Sequence, residues 1–179
     1  MSYSDSALQL GDLVFHPRFG FGAVRDVTRR ARVQPASEPA PAAMLADATE
    51  EYYDIQLDEG GTLWVPVNRA QSVGLRRLSL GVAAIKEKLS SPAQELPANF
   101  RERAEALRQR GQRAEPAAFV NAVRDMLAQS RGRTLSAGEK SWLAKSCQRL
   151  STEAARVDQI SIYDAEDAIE AVVRKLTAS

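Results

Sequence analysis

The chain has 179 residues, enough for one mid-sized domain or two small ones, with 44% hydrophobic and 26% charged residues. Its apolar stretches are too short to span a bilayer, no signal-peptide pattern opens it, and the lone Cys147 has no internal disulfide partner, so we expect a cytoplasmic location. The net charge is +1, but residues 99–149 hold 11 basic and 5 acidic side chains, which indicates either a surface facing phosphates or a solvated helical surface.

The first half of the chain has the two-residue periodicity of β-strands. The predicted strands cover residues 13–16, 23–30, 51–58, 62–67 and 73–77. Pro17 ends the first strand, and Glu59-Gly60-Gly61 is a tight hairpin signal between the third and the fourth. Five short strands with Gly-rich turns within residues 1–78 predict a small barrel of SH3 or Tudor type.

An aperiodic segment interrupts these strands. Residues 31–49 contain seven Ala and three Pro and show neither helical nor strand periodicity. Such a composition cannot bury much apolar area, so we expect a flexible insertion between the second and third strands.

The second half, residues 79–179, has helical periodicity. A short amphipathic piece covers residues 80–89, and Asn99 caps a helix that runs to about Arg110. Further starts are marked by Pro116, by the capping box at residues 136–139 and by Ser161. We therefore expect four or five helices packed as a bundle, and an α+β chain of two domains.

The sequence offers little material for catalysis. His16 is the only histidine, and neither a cysteine cluster nor a phosphate-binding glycine loop is present. The acidic residues near the last helix start are typical of a helix N-terminus rather than of a catalytic pair. We expect a protein that is not an enzyme and needs no metal or cofactor.

Several motifs match a known family in order and spacing. In the first half they are Leu10-Gly11-Asp12-Leu13-Val14-Phe15-His16-Pro17, Glu51-Tyr52-Tyr53, Leu63-Trp64-Val65-Pro66 and Val73-Gly74-Leu75-Arg76. In the second half they are Pro97-Ala98-Asn99-Phe100-Arg101, Val123-Arg124-Asp125-Met126 and Leu135-Ser136-Ala137-Gly138-Glu139-Lys140. The first half resembles the RNA-polymerase-interacting domain of CarD/CdnL proteins and of transcription-repair coupling factor. The second half resembles the helical DNA-binding part of CarD/CdnL proteins.

The resemblance implies a transcription regulator that docks on the RNA polymerase β subunit, and we expect the protein to be a monomer. For polymerase binding it implies Arg29, Arg30 and Trp64, of which Trp64 stands where the family often has Arg. The strand alternation independently places Trp64 on the outside of the barrel. The alternatives are that Trp64 covers the open end of its own barrel and that the two arginines are a basic strand end.

The resemblance also implies that the helical domain holds promoter DNA at the minor groove and stabilises the open complex. Phe100 matches the family's wedge aromatic, which is usually Trp. Arg101, Arg103 and Arg108 would contact phosphates without reading sequence. The alternative for Phe100 is a core position between helices.

Two other functions remain open at this stage. Glu102 and Glu105 stand where family members tend to carry basic residues, which favours a polymerase-docking adaptor with little or no DNA binding. A Tudor- or KOW-like barrel that binds another protein or RNA is the second alternative.

Overall fold

The computed structural model describes residues 7–31 and 49–178 and has the α+β architecture predicted from the sequence. The strands are β1 (Leu13–His16), β2 (Gly20–Ala31), β3 (Thr49–Leu57), β4 (Thr62–Pro66) and β5 (Arg76–Arg77). The helices are α1 (Val82–Ser90), α2 (Phe100–Gln112), α3 (Pro116–Gly132), α4 (Ala137–Asp158) and α5 (Ile162–Ala178). The described residues form two compact units, one ending at Arg77 and one beginning at Leu78.

The five strands form one antiparallel sheet in the order β4-β3-β2-β1-β5. The sheet is barrel-like but not closed, because β4 and β5 lie at its two edges and do not pair within the described residues. The last strand is shorter than predicted and consists of Arg76 and Arg77 alone. Most of the predicted insertion at residues 31–49 lies outside the described residues.

The apolar core of the sheet unit lies on one face of its strands. The core consists of Val14, Val24, Tyr53, Ile55, Val65 and Leu75. Strand alternation puts these side chains on the inner face and their neighbours on the outer face, where Phe15, Tyr52 and Asp54 are buried as well. Gly22 is required at its position because a Cβ there would lie 2.5 Å from the carbonyl oxygen of Gln56 on β3. The Gly60-Gly61 hairpin between β3 and β4 is confirmed, with φ angles of 94° and 87°.

His16 organises the turn between β1 and β2. Its Nδ1 accepts hydrogen bonds from the backbone N–H of Arg18 (3.1 Å) and of Phe19 (3.3 Å). Only an unprotonated Nδ1 can accept these bonds. Burial and, to a smaller extent, the charge of Arg18 lower the pKa of His16 below its usual 6.5.

We expect the sheet unit to lose stability as the pH falls below about 6.5, the unperturbed pKa of histidine. The unfolded chain then binds a proton on His16 that the folded chain resists, so the contribution of neutral His16 is complete above that pH and disappears as the pH falls through the folded pKa. Urea unfolding followed by Trp64 fluorescence in a Trp142→Phe background measures this. His16→Gln should flatten the profile, and a wild-type free energy of unfolding that is constant between about pH 7 and pH 5 would contradict the assignment.

The helical unit is built on capped amphipathic helices. Asn99 caps α2, Pro116 is the first residue of α3, and Ser136 with Glu139 forms the capping box of α4, all as predicted. The apolar stripe predicted on α3 is confirmed as buried: Phe119, Val123, Met126 and Leu127. No helix within the described residues is long and apolar enough to cross a membrane.

Two apolar clusters hold these helices together. The larger joins α1, α3, α4 and α5 around residues such as Ile85, Val120 and Leu150. The smaller joins Leu96 and Leu135 to α2 and α3 through Leu107 and Met126. Because the smaller cluster holds α2 against α3, it fixes the helix whose first residue is Phe100.

Candidate functional site

The sheet unit carries an aromatic side chain on its outer face. Trp64 is 48% exposed, whereas its neighbour Val65 is buried in the core. The guanidinium carbon of Arg30 lies 4.1 Å from the centroid of the Trp64 ring, which is a close cation–π stack. The outward position predicted for Trp64 from strand alternation is therefore what the structure has.

The outer face that carries Trp64 and Arg30 includes two buried residues of β3. Asp54 is directly opposite Trp64 in the ladder, and Tyr52 is two residues away on the same face. Arg25 reaches across to Asp54 with an N–O distance of 3.0 Å. We call the set Arg30, Tyr52, Asp54 and Trp64 the Trp64 face.

The structure separates the two predicted arginines of β2. Because side chains alternate along a strand, Arg29 lies on the opposite face of β2 from Arg30. Its Nε is 3.1 Å from Oε1 of Glu51. Both partners are exposed, so this pair contributes little to stability. Arg30 and Trp64 are brought together, and Arg29 lies outside the Trp64 face.

Phe100 is an exposed aromatic residue at the very start of α2. Its side chain is 56% exposed, so it does not occupy the core position that was the alternative. The Oδ1 atom of Asn99 accepts hydrogen bonds from the backbone N–H of Arg101 (2.8 Å) and of Glu102 (3.4 Å). The side chain of Arg101 is exposed beside Phe100, as a phosphate contact would require.

Arg103, expected to flank Phe100 as a phosphate contact, is buried instead. Its Nε lies 2.8 Å from Oε1 of Glu139, and its Nη1 donates to the carbonyl oxygens of Pro97 (2.7 Å) and Ala98 (2.8 Å). The physical reason is its place on α2, because it lies four residues before the buried Leu107 and so on the same face. A guanidinium with these three internal acceptors is not presented to a ligand.

Arg108 is exposed, but its guanidinium already binds neighbouring side chains of α2. It donates to Glu105, with Nη2–Oε1 at 2.6 Å, and to Gln112 at 3.0 Å. The hydrogen bond from Arg108 lowers the pKa of Glu105 to about 2, so this carboxylate stays ionised and offsets the charge of Arg108. The pair therefore weakens the positive potential expected on this face of α2.

Ion pairs inside the helical unit absorb much of the basic excess between residues 99 and 149. Arg110 and Arg124 both bind the buried carboxylate of Asp125 at 2.7 Å. Four exposed cations of this segment make neither an ion pair nor a side-chain hydrogen bond to described residues: Arg101, Arg113, Lys140 and Lys145.

Lys140 is a candidate that the sequence analysis did not single out. It directly follows Glu139, whose bond to Arg103 brings the first turn of α4 against the first turn of α2. Lys140 and Arg101 are thus exposed near the same end of the helical unit as Phe100. The capping box predicted from the sequence that Lys140 lies at a helix start. It could not predict that this start lies near α2, because the Arg103–Glu139 bond that joins them links residues 36 positions apart.

Family models match both units of the chain. The model described as the CarD-like/TRCF RID domain matches residues 8–79. The model described as the CarD C-terminal domain matches residues 84–170. The two matches follow one another along the chain and together cover most of it.

Proposed function

The chain belongs to the CarD/CdnL family of RNA-polymerase-interacting transcription regulators, and from this premise we propose that it docks on the polymerase β subunit and stabilises the promoter open complex. CarD-like proteins are not enzymes. The observation that carries the proposal is the exposed Phe100 at a capped helix start with the free cation Arg101 beside it. We assign the contact to the minor groove at the upstream edge of the bubble.

The Trp64 face is the proposed docking surface. A half-exposed Trp stacked on an Arg has the composition of an interface hot spot, because large aromatic area is buried at a small entropic cost. β4, which carries Trp64, is an edge strand of the sheet. Its outer edge pairs with no other strand among the described residues, which supports docking by strand addition, in which main-chain hydrogen bonds supply affinity and Trp64 supplies specificity.

Phe100 is the proposed wedge. An apolar side chain can press between bases at the minor groove without a hydrogen-bond partner, and so without reading sequence. The side chains of Arg101 and Lys140 favour the adjacent phosphates, whereas the backbone N–H groups of Arg101 and Glu102 are already bound by the Asn99 cap. Arg108 enters this proposal as a weaker contact, because Glu105 competes for its guanidinium.

The energetic demand on such a device is small. A protein that binds the melted promoter more tightly than the closed one shifts the equilibrium by the difference of the two affinities. A tenfold gain in open complex requires about 1.4 kcal/mol. One aromatic wedge with two phosphate contacts can supply a difference in binding free energy of this magnitude.

A polymerase-docking adaptor without DNA contact is the second candidate. It is favoured by Glu102 and Glu105 on α2 and by the internal pairing of Arg103 and Arg108. The proposed regulator and the adaptor both require retention by an immobilised polymerase β lobe. They differ only in whether the helical unit binds DNA.

We expect the full chain to bind fork-junction DNA with an affinity that falls as salt rises, because phosphate contacts release counterions. Arg101→Ala and Lys140→Ala should each reduce the slope of log K against log salt by about 0.9, one phosphate contact apiece. Fluorescence anisotropy at several salt concentrations measures the slope. Arg174→Ala, an exposed cation of α5, is the control and should leave it unchanged. No salt dependence in the wild-type chain would favour the adaptor.

A further inference from the structure

The first turns of α2 and α4 are joined by a buried ion pair whose arginine, Arg103, lies three residues after Phe100. Arg103 and Glu139 are 6% and 7% exposed in their side chains, and Nε and Oε1 are 2.8 Å apart. We infer that this pair positions the Phe100 ring for contact with DNA, an inference that rests on the proposed function. Arg103 and Glu139 are positioning residues in this account, since neither is exposed enough to touch the ligand.

One guanidinium fixes the chain that leads into α2. Nη1 of Arg103 donates to two successive carbonyl oxygens, those of Pro97 and Ala98, while its Nε is held by Glu139. From the other side, Asn99 caps the helix through its own side chain. The backbone on both sides of Phe100 is therefore tied down within a few residues.

The ring of Phe100 is also in reach of the same guanidinium. The guanidinium carbon of Arg103 lies 5.9 Å from the ring centroid, and the two residues are three apart on one helix. Arg103 thus binds the turn before the ring and lies at the outer limit of cation–π range from the ring itself. This leaves the outer side of Phe100 for a partner.

Glu139 holds its position through both carboxylate oxygens. Oε2 accepts the backbone N–H of Ser136 at 2.9 Å and completes the capping box of α4, while Oε1 accepts from Arg103 and from Arg133. The hydrogen bond from Arg133 is the main reason that the pKa of Glu139 is lowered to about 2. The anchor is therefore ionised at neutral pH and is itself fixed by α4.

A buried ion pair fixes the relative position of two helices more than it stabilises the folded state. Removing two charges from water costs nearly what their attraction returns, so a buried ion pair adds little net stability but specifies one arrangement. A wedge that presses between bases gains from a fixed orientation, because less freedom is lost on binding. Elsewhere on α2 the exposed pair of Glu105 and Arg108 makes no contact with the turn before Phe100.

The test is a double-mutant cycle on promoter open-complex lifetime with the full chain and polymerase. Arg103→Lys keeps the positive charge but loses the planar guanidinium that donates to several acceptors at once. Glu139→Gln keeps the shape of the side chain but loses its negative charge. Each should shorten the lifetime about fivefold, as expected for coupled neighbours, and the loss should be smaller in a Phe100→Leu background, which keeps part of the apolar contact. An equal loss in both backgrounds, or no loss in either single variant, would overturn the inference.

Two further measurements separate positioning from general weakening. Arg124→Lys alters another buried pair of the same unit, and it should lower the thermal midpoint without shortening the lifetime. Hydrogen exchange of the amide protons of Arg101 and Glu102 should be faster in Arg103→Lys than in Arg124→Lys. Equal exchange rates in Arg103→Lys and Arg124→Lys would overturn the inference whatever the role of Phe100 in DNA binding. Failure of the inference can therefore be told apart from failure of the proposed function.

Discussion

Replacing Phe100 with Ala is expected to abolish promoter stabilisation and to leave polymerase binding unchanged. The ring is 56% exposed, so its removal opens no core cavity. Burying a Phe side chain in an apolar contact contributes about 1.5–3 kcal/mol, enough to account for the whole stabilisation, so the open-complex lifetime should fall about tenfold, to its value without the protein. Lifetime is measured by competitor challenge, and polymerase affinity by titration of the immobilised β lobe.

Two variants sharpen this result. Phe100→Trp restores the aromatic that the family usually has at this position and should retain or lengthen the lifetime, since the larger ring buries more area. Tyr163→Ala removes an even more exposed aromatic, at 75% on α5, and should change neither property. Simultaneous loss of promoter stabilisation and polymerase binding in Phe100→Ala would contradict the separate role of the wedge.

Replacing Trp64 with Ala is expected to weaken polymerase binding by about 2 kcal/mol or more, the loss typical of an aromatic hot spot. The stack with Arg30 holds the indole in place before docking, so little freedom is lost when the partner covers it. Because Arg25 and Arg29 are already paired with Asp54 and Glu51, the loss should depend little on salt. Titration of the β lobe at low and high salt measures both properties.

The matched control on the same unit is Leu10→Ala. Leu10 is 72% exposed and lies outside the Trp64 face, so its removal should not alter polymerase affinity. Circular dichroism and the thermal midpoint establish that each variant is folded. If Trp64→Ala bound the β lobe as tightly as the wild-type chain, the Trp64 face would not be the docking surface.

Local patterns were sufficient to predict most of the fold. The alternation of β4 places Val65 in the core and Trp64 outside, which is why the outward position of Trp64 could be predicted from its neighbours, whereas on β3 both faces are buried from Tyr52 to Ile55. Caps are equally local, so the starts of α2, α3 and α4 were predicted from Asn99, Pro116 and the capping box. The length of β5 depends instead on its pairing with β1, which no local pattern contains.

Only the exposed positions of the candidate site were predicted correctly from the sequence, whereas the buried positions of the arginines were not. Basic side chains near Phe100 were treated as one surface, but Arg103 belongs to the buried face of α2 and binds Glu139 on another helix. The four-residue spacing from Leu107 was a signal for this burial, although its partner could not be found without the tertiary fold. Arg110 and Arg124 show the same effect, because their shared acceptor Asp125 is fully buried on α3.

The central claim is that the helical unit keeps promoter strands apart while the sheet unit holds the polymerase. It is tested most directly by the lifetime of the open complex formed with purified polymerase, measured with and without this protein under competitor challenge. We predict a lifetime about tenfold longer in its presence, equivalent to about 1.4 kcal/mol of differential binding. An unchanged lifetime at concentrations that saturate the polymerase would contradict the account.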